Sequence, residues 1–213
     1  FLPASDTTTT PIAEYQLCFK CHSGWTTAPA GQTDLGKALN TWNPSFHPVE
    51  GAGANPSIPP LAFTPGWNAA SITRCSDCHG SDFGLTKGPH GSMYKGLLKA
   101  PYDATPSRRT MTSNELCFNC HSYDVYANPN APSSLATASR FNAPGVEVGH
   151  SKHVGEENVP CADCHTTHGS TTLSNLLVIG RVPGLNSYTR TTTGGSCAPT
   201  CHGSESYRVN YAR

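Results

Sequence analysis

All ten cysteines of this 213-residue chain fall into five short strings in which the second cysteine is followed at once by histidine. The strings are Cys18-Phe19-Lys20-Cys21-His22, Cys75-Ser76-Asp77-Cys78-His79, Cys117-Phe118-Asn119-Cys120-His121, Cys161-Ala162-Asp163-Cys164-His165 and the longer Cys197-Ala198-Pro199-Thr200-Cys201-His202. Whatever the chain folds into must grow around them. Cys-x-x-Cys-His is the attachment site of c-type haem. Residues three and four apart share one face of a helical turn, so two thiols and an imidazole can meet one porphyrin together. The thiols add across the vinyl groups, and the histidine bonds the iron from the same side.

A single Cys-x-x-Cys-His could also be half a zinc site or a thioredoxin-like redox pair, although haem is the first reading even for one copy. Five copies with no cysteine to spare leave little room for either. Zinc would also need four ligands per metal and a reason for each adjoining histidine. The last string has one extra residue and could be read as a local disulfide or a decayed site. A spacing of four still keeps both thiols on one helical face, so haem is expected there too.

Ten histidines less the five in the strings leave His47, His90, His150, His153 and His168, one for each haem. Haem iron takes two axial ligands, and only Met93 and Met111 compete for the second place. Five bis-histidine haems are therefore expected, although an isolated histidine is just as often a surface residue with no metal. His165-x-x-His168 puts two imidazoles on one side of a helical turn, so His168 should serve a haem other than the one His165 holds. His150 and His153 repeat the spacing and should serve two different haems.

Five haems in this length leave roughly forty residues each, too few to wrap every porphyrin in a protein core. The haems must then be the core. Apolar porphyrin faces would supply burial that a chain with 36% hydrophobic residues, 20 Gly and 18 Pro does not, and the covalent links would staple it as disulfides staple small secreted scaffolds. Charged residues are 13% of the chain with formal charge zero, against about 25% in typical soluble domains. No basic run suggests nucleic acid, and no apolar stretch approaches the roughly 20 residues of a membrane span.

Aligning the strings exposes a repeat. Leu17 to Ser23 reappears as Leu116 to Ser122, and His90-Gly91-Ser92 with Leu97-Leu98 reappears as His168-Gly169-Ser170 with Leu176-Leu177. The unit is an upstream histidine, Cys-x-Asp-Cys-His, His-Gly-Ser, Leu-Leu and a closing haem string. It occurs over about 47–122 and 150–203, after a lone closing string at 13–22. This layout resembles the doubled-motif multihaem c-type cytochromes, in which adjacent attachment sites form a paired-haem module. Some members of that family are extracellular filament cytochromes, and a short, weakly charged chain with bis-histidine haems is similar to them. The resemblance implies a multihaem c-type cytochrome fold, mostly coil with short helices, a haem-stack core and little or no β-sheet. It implies one haem-cored domain over 1–213, divided into a first site at 1–25 and paired modules at 45–125 and 145–205. It also implies a head-to-tail homopolymer in which a histidine of one subunit ligates a haem of the next. His47, in Phe46-His47-Pro48 within a proline-rich stretch of long reach, is the candidate for that ligand.

Local signals are sparse. Thr112-Ser113-Asn114-Glu115 reads as a capping box opening the helix that delivers Cys117, Cys120 and His121. Thr10-Pro11 reads as the start of the first. Thr33 to Leu39, Tyr94 to Lys99 and Ser134 to Arg140 are further one- or two-turn candidates, whereas the prolines between Asn43 and Gly66 exclude regular helix or central strand. Thr191 to Thr193 suits an edge strand or sugar attachment.

Two imidazoles per iron would close both axial positions, which points to electron transfer and away from haem catalysis. An electron carrier, not an enzyme, is expected, and a multihaem nitrite or hydroxylamine converter would call for an open iron, often signalled by lysine in place of the string histidine. Redox proteins and extracellular electron acceptors are the expected partners. Covalent haem attachment takes place beyond the cytoplasmic membrane, and the opening Phe1-Leu2-Pro3-Ala4-Ser5 suits a cleaved product. The expected location is extracellular or at the cell surface, with a periplasmic shuttle as the alternative.

Overall fold

Four residues ending in a cysteine suffice for one helical turn and no more, and the strings at Cys75 and Cys161 fold that way. The computed structural model describes residues 13–24, 27, 29–83, 88–89, 91–141 and 149–208. Helix α1 (Glu14–His22) carries the whole first string. The Gln16 side chain accepts the Ala13 N–H at 3.1 Å, and at the far end the Ser23 hydroxyl and N–H return to the Phe19 carbonyl at 3.0 and 3.2 Å. Phe19 is fully buried with its ring edge-on to Tyr15. The Thr10-Pro11 start expected for this helix lies outside the described residues.

The remaining elements are brief. Helix α2 (Leu35–Ala38) is capped by Asp34, and strand β1 (Ser45–Phe46) follows. Next come a 3-10 turn at Pro60–Ala62, helix α3 (Cys75–Cys78), a 3-10 turn at Leu116–Asn119, and helices α4 (Tyr123–Tyr126) and α5 (Ser133–Ala136). A further 3-10 turn at Thr137–Ser139, a π-helical segment at Ser151–Glu156 and helix α6 (Cys161–Cys164) lead to strands β2 (Gly169–Ser170), β3 (Leu185–Thr191), β4 (Gly194–Pro199) and β5 (Glu205–Arg208).

The expectation of little or no β-sheet is overturned. Strands β1 and β2 form an antiparallel ribbon, and β3, β4 and β5 form an antiparallel three-stranded sheet in that order. The larger sheet is silent in the sequence because most of β3, Leu-Asn-Ser-Tyr-Thr-Arg-Thr, is exposed or half-exposed and lacks the apolar alternation of a strand with one buried face. Its register comes from the tight turn between Thr191 and Gly194 and from the Tyr188 and Tyr207 hydroxyls, 3.0 Å apart. Cys197 lies on β4, so the long last string is extended, not helical. Tyr94 to Lys99 forms turns in place of the expected helix, because Gly96 and Leu97 have φ of 79° and 55°. The capping box is half made: Glu115 accepts the Thr112 N–H at 3.2 Å, but the Thr112 hydroxyl turns to Asn114.

The chain divides into two compact units. One comprises Phe1–Pro56, Ala70–Lys99 and Thr166–Leu177, and the other Ser57–Ala69, Ala100–His165 and Val178–Arg213. Compaction and sequence repeat thus divide the chain differently. In the first unit the β1–β2 ribbon pairs Ser45 with Ser170 and Phe46 with Gly169, and continues as His47 N–H donating to the His168 carbonyl at 2.9 Å. The Ser45 hydroxyl donates to the Leu173 carbonyl at 2.7 Å and accepts the Leu176 N–H at 2.8 Å. In the second unit Met111, Phe118, Ala127 and Val154 make a small apolar core with Tyr123, Tyr126 and Cys161 against it. That is a thin core for its length of chain, as expected where a cofactor supplies burial.

Gly169 has no room for a side chain: a Cβ there would sit 1.8 Å from the Ala38 carbonyl oxygen. Gly169→Ala is therefore expected to destabilise the protein by about 1–3 kcal/mol, read as a lower thermal unfolding midpoint. Gly203→Ala, which meets open space, should leave the midpoint unchanged.

Candidate haem-binding sites

Three of the strings share a construction that the sequence did not announce. After the helical turn the histidine passes into extended backbone, with φ and ψ of −98° and 131° at His79 and −116° and 143° at His165. The next residue then donates to a distant carbonyl, and the second cysteine's carbonyl receives an N–H two residues beyond it. At the second string Gly80 donates to Leu97 at 2.7 Å and Lys99 to Cys78 at 3.0 Å. At the third, Ser122 donates to Ala62 at 3.0 Å and Thr64 to Cys120 at 2.9 Å, and at the fourth Thr166 donates to Leu176 at 2.8 Å and Val178 to Cys164 at 2.9 Å. His79 is thereby bridged to Leu98, and His121 to Phe63. The repeated Leu-Leu is what closes this bracket. Gly96-Leu97 and Asn175-Leu176 are both consecutive left-handed pairs, with φ of 79°, 55°, 59° and 56°. They turn the chain back across the histidine. His165 and His168 consequently do not share a helical turn, since α6 ends at Cys164.

Six histidines come together in pairs. The rings of His79 and His168 are 6.3 Å apart between centroids and tilted by 8°. His150 and His165 are 6.1 Å apart at 23°, and His153 and His202 are 6.1 Å apart at 36°. Two metal–nitrogen bonds of about 2.0 Å end to end, with a ring radius on either side, place trans imidazoles roughly 6 Å apart. Among the described residues no three His, Cys, Asp or Glu side chains converge as a directly ligated ion would need. A porphyrin supplies four nitrogens in its own plane, so two opposed imidazoles complete it.

Several of the outer nitrogens are already committed, although the buried Nδ1 of His150 has no hydrogen-bond partner among the described residues. His79 Nδ1 donates to the Gly96 carbonyl at 2.7 Å, His153 Nδ1 to Gly149 at 2.8 Å and His202 Nδ1 to Gly203 at 2.7 Å. His47 Nδ1 donates to the Thr167 carbonyl. A carbonyl only accepts, so the proton is on Nδ1 and the lone pair on Nε2, as metal-ligating histidines require. Burial lowers the pKa of His150 to about 3, with the neighbouring His165, His153 and His121 adding to the effect. Burial likewise lowers His168 to about 4 and lowers His47. His150 and His168 are thereby held neutral, the form that donates to a metal.

The other candidates are placed as follows. His22 ends α1 and is exposed beside exposed Cys21, while Cys18 is half-buried. His121 has Phe63 at 5.7 Å and nearly parallel, and Tyr126 at 5.6 Å and perpendicular. His90 lies outside the described residues. Cysteines of different strings also meet. The thiols of Cys18 and Cys75 hydrogen-bond, as do those of Cys117 and Cys161. Donation from Cys75 holds the Cys18 pKa down to about 7, and burial pushes Cys164 up to about 12.

Opposed imidazoles, the outer nitrogens of His79, His153 and His202 bonded to carbonyls, and a cysteine pair before each string histidine all fit haem. Residues 69–125 match the family described as the doubled CXXCH motif. That segment holds the strings at Cys75 and Cys117, and the match supports a multihaem c-type cytochrome-like protein with covalently bound haem c. It also supports an electron carrier, and carries no information on filament formation. No curated protein and no solved structure matches the chain.

Sequence reasoning missed the residues that orient the motif histidines. Leu98 and Phe63 lie across from them, and Gly96 holds Nδ1 of His79. The only signal was the repeated Leu-Leu. If the opposed rings of His79 and His168 hold one haem between them, replacing His168 with alanine is expected to leave that haem, and no other, short of a ligand. Optical and EPR spectra should gain one high-spin, CO-binding centre while intact mass keeps its full haem count.

Proposed function

We propose that this chain binds five c-type haems, each through one string and a second histidine, and passes electrons along them as a subunit of an extracellular conductive filament. The observation that carries the electron-transfer reading is the set of three imidazole pairs at 6.1–6.3 Å, each pair including a string histidine. Bound haem supplies a one-electron iron couple. His79 with His168, His150 with His165 and His153 with His202 would hold such a group between them, so that neither oxygen nor a substrate would reach the metal without displacing an imidazole. Histidine in the place of methionine keeps the potentials low.

The backbone then fixes the imidazoles. The bridges across His79 and His121, and the Nδ1 bonds of His79, His153 and His202, leave these rings little freedom to reorient when the metal changes charge. Small reorganisation favours fast electron exchange. For the two remaining sites the proposal assigns His47 and His90 as second ligands, with His47 the candidate to reach a neighbouring subunit. The filament arrangement draws support from weak charge, 13% of residues, since a diffusing shuttle gains from charged docking patches. A fibre would need a head-to-tail interface that does not close on itself.

Pyridine haemochrome assay and intact mass of the purified holoprotein should give five covalent haems per chain. Electron microscopy of the same material should show uniform fibres. Discrete particles with a full haem count would leave a periplasmic carrier, and fewer haems would overturn the five-site assignment itself.

A further inference from the structure

The first cysteines of separate strings meet twice, each time beside a carboxylate. In the first unit Cys18 lies against Cys75, and Glu14 is within electrostatic reach of both sulfurs. Glu14 is fixed there by Ser76, whose N–H and hydroxyl each donate to its carboxylate at 2.7 Å. These bonds dock α1 onto α3. In the second unit Cys117 lies against Cys161, with Glu115 within reach of both sulfurs. Glu115 is only 4% exposed and is held bidentately by Arg109, at 2.5 and 2.7 Å. Met111 completes this junction, its sulfur 3.3 Å from the Cys161 nitrogen and 3.5 Å from the Cys161 sulfur.

A charge placed between two redox centres acts on both. A carboxylate stabilises the oxidised, more positive form of each neighbour and so lowers both potentials, and burial strengthens the effect because little water screens it. We infer that Glu14 and Glu115 are tuning residues, each setting the reduction potentials of two haems together: those of Cys18 and Cys75 for Glu14, and those of Cys117 and Cys161 for Glu115. Arg109 opposes Glu115 at the second junction, so that junction carries a balanced pair where the first carries a carboxylate held by neutral donors. This rests on haem at those four strings, as proposed above.

The test is an EPR-monitored potentiometric titration of the holoprotein and three variants, with haem count and low-spin spectra measured on the same samples. Glu115→Gln should move two of the resolved centres to higher potential and leave the rest in place. Arg109→Gln should move the same two to lower potential, a reversal that mere loosening of the fold would not produce. Glu14→Gln should raise a different two. Should the buried Glu115 variant not hold its haems, the half-buried Glu14 variant decides alone. Movement of a single centre, a uniform drift of all centres, or no movement at full haem count would overturn the inference. A wild-type haem count too low to fill these four strings would instead overturn the reading beneath it.

Discussion

Two imidazoles facing each other about 6 Å apart are an arrangement that a polypeptide has little reason to make for its own sake. Each ring carries a lone-pair nitrogen, and bringing two such acceptors together in half-buried surroundings costs free energy unless something between them accepts both pairs. The burial that keeps His150 and His168 neutral worsens their position without a metal and suits them with one. The other architectural features follow from holding these pairs. Brackets of antiparallel hydrogen bonds grip the string histidines, while the β1–β2 ribbon and the π-helical segment bring His168, His150 and His153 to their partners. The apolar core left over is small because it has only to join the clamps.

What the sequence disclosed was the covalent chemistry. Cys-x-x-Cys-His announces itself because thiols and imidazole must be adjacent to serve one porphyrin, so all the information is local. Which second histidine faces which string is long-range. Nothing in the spacing alone says that His168 faces His79, or that His153 faces His202 and not His165. Strands β3 to β5 were hidden for a related reason. They bury few side chains, so their pairing is written in a turn, two glycines and a tyrosine contact, with no hydrophobic period to read. The helical reading of Cys197 to Cys201 failed because a four-residue spacing is compatible with a helical face without requiring one, and pairing with β3 and β5 decided the matter.

The Leu-Leu repeat shows how a legible pattern can carry an illegible meaning. Two leucines suggest core packing, yet Leu97 is 42% exposed and Leu98 only 8%. The important property is backbone geometry. Leu97 and Leu176 occupy left-handed conformations that cost a bulky side chain energy, and the carbonyls of both accept the N–H of the residue after a string histidine. Strain accepted twice at equivalent places, beside a string histidine each time, is the mark of a constraint set by the site.

The repeated aspartate makes the same point in the opposite direction. Cys-x-Asp-Cys-His occurs at Cys75 and at Cys161, and identical residues invite identical explanations. At the first copy Asp77 acts locally, accepting the Arg74 N–H at 2.7 Å and closing the start of α3. At the second, Pro160 stands where Arg74 stands and has no N–H to offer. Asp163 turns instead to the Ser107 N–H at 3.1 Å and is fully buried, with its other oxygen unpartnered. Burial raises its pKa, while Ser107 and nearby Arg108, Arg181 and Arg109 act against that rise. One substitution preceding the string thus converts a helix cap into a tie between segments far apart in the chain. The second unit needs such a tie more than the first, because three strings must be held there about a core of only Met111, Phe118, Ala127 and Val154.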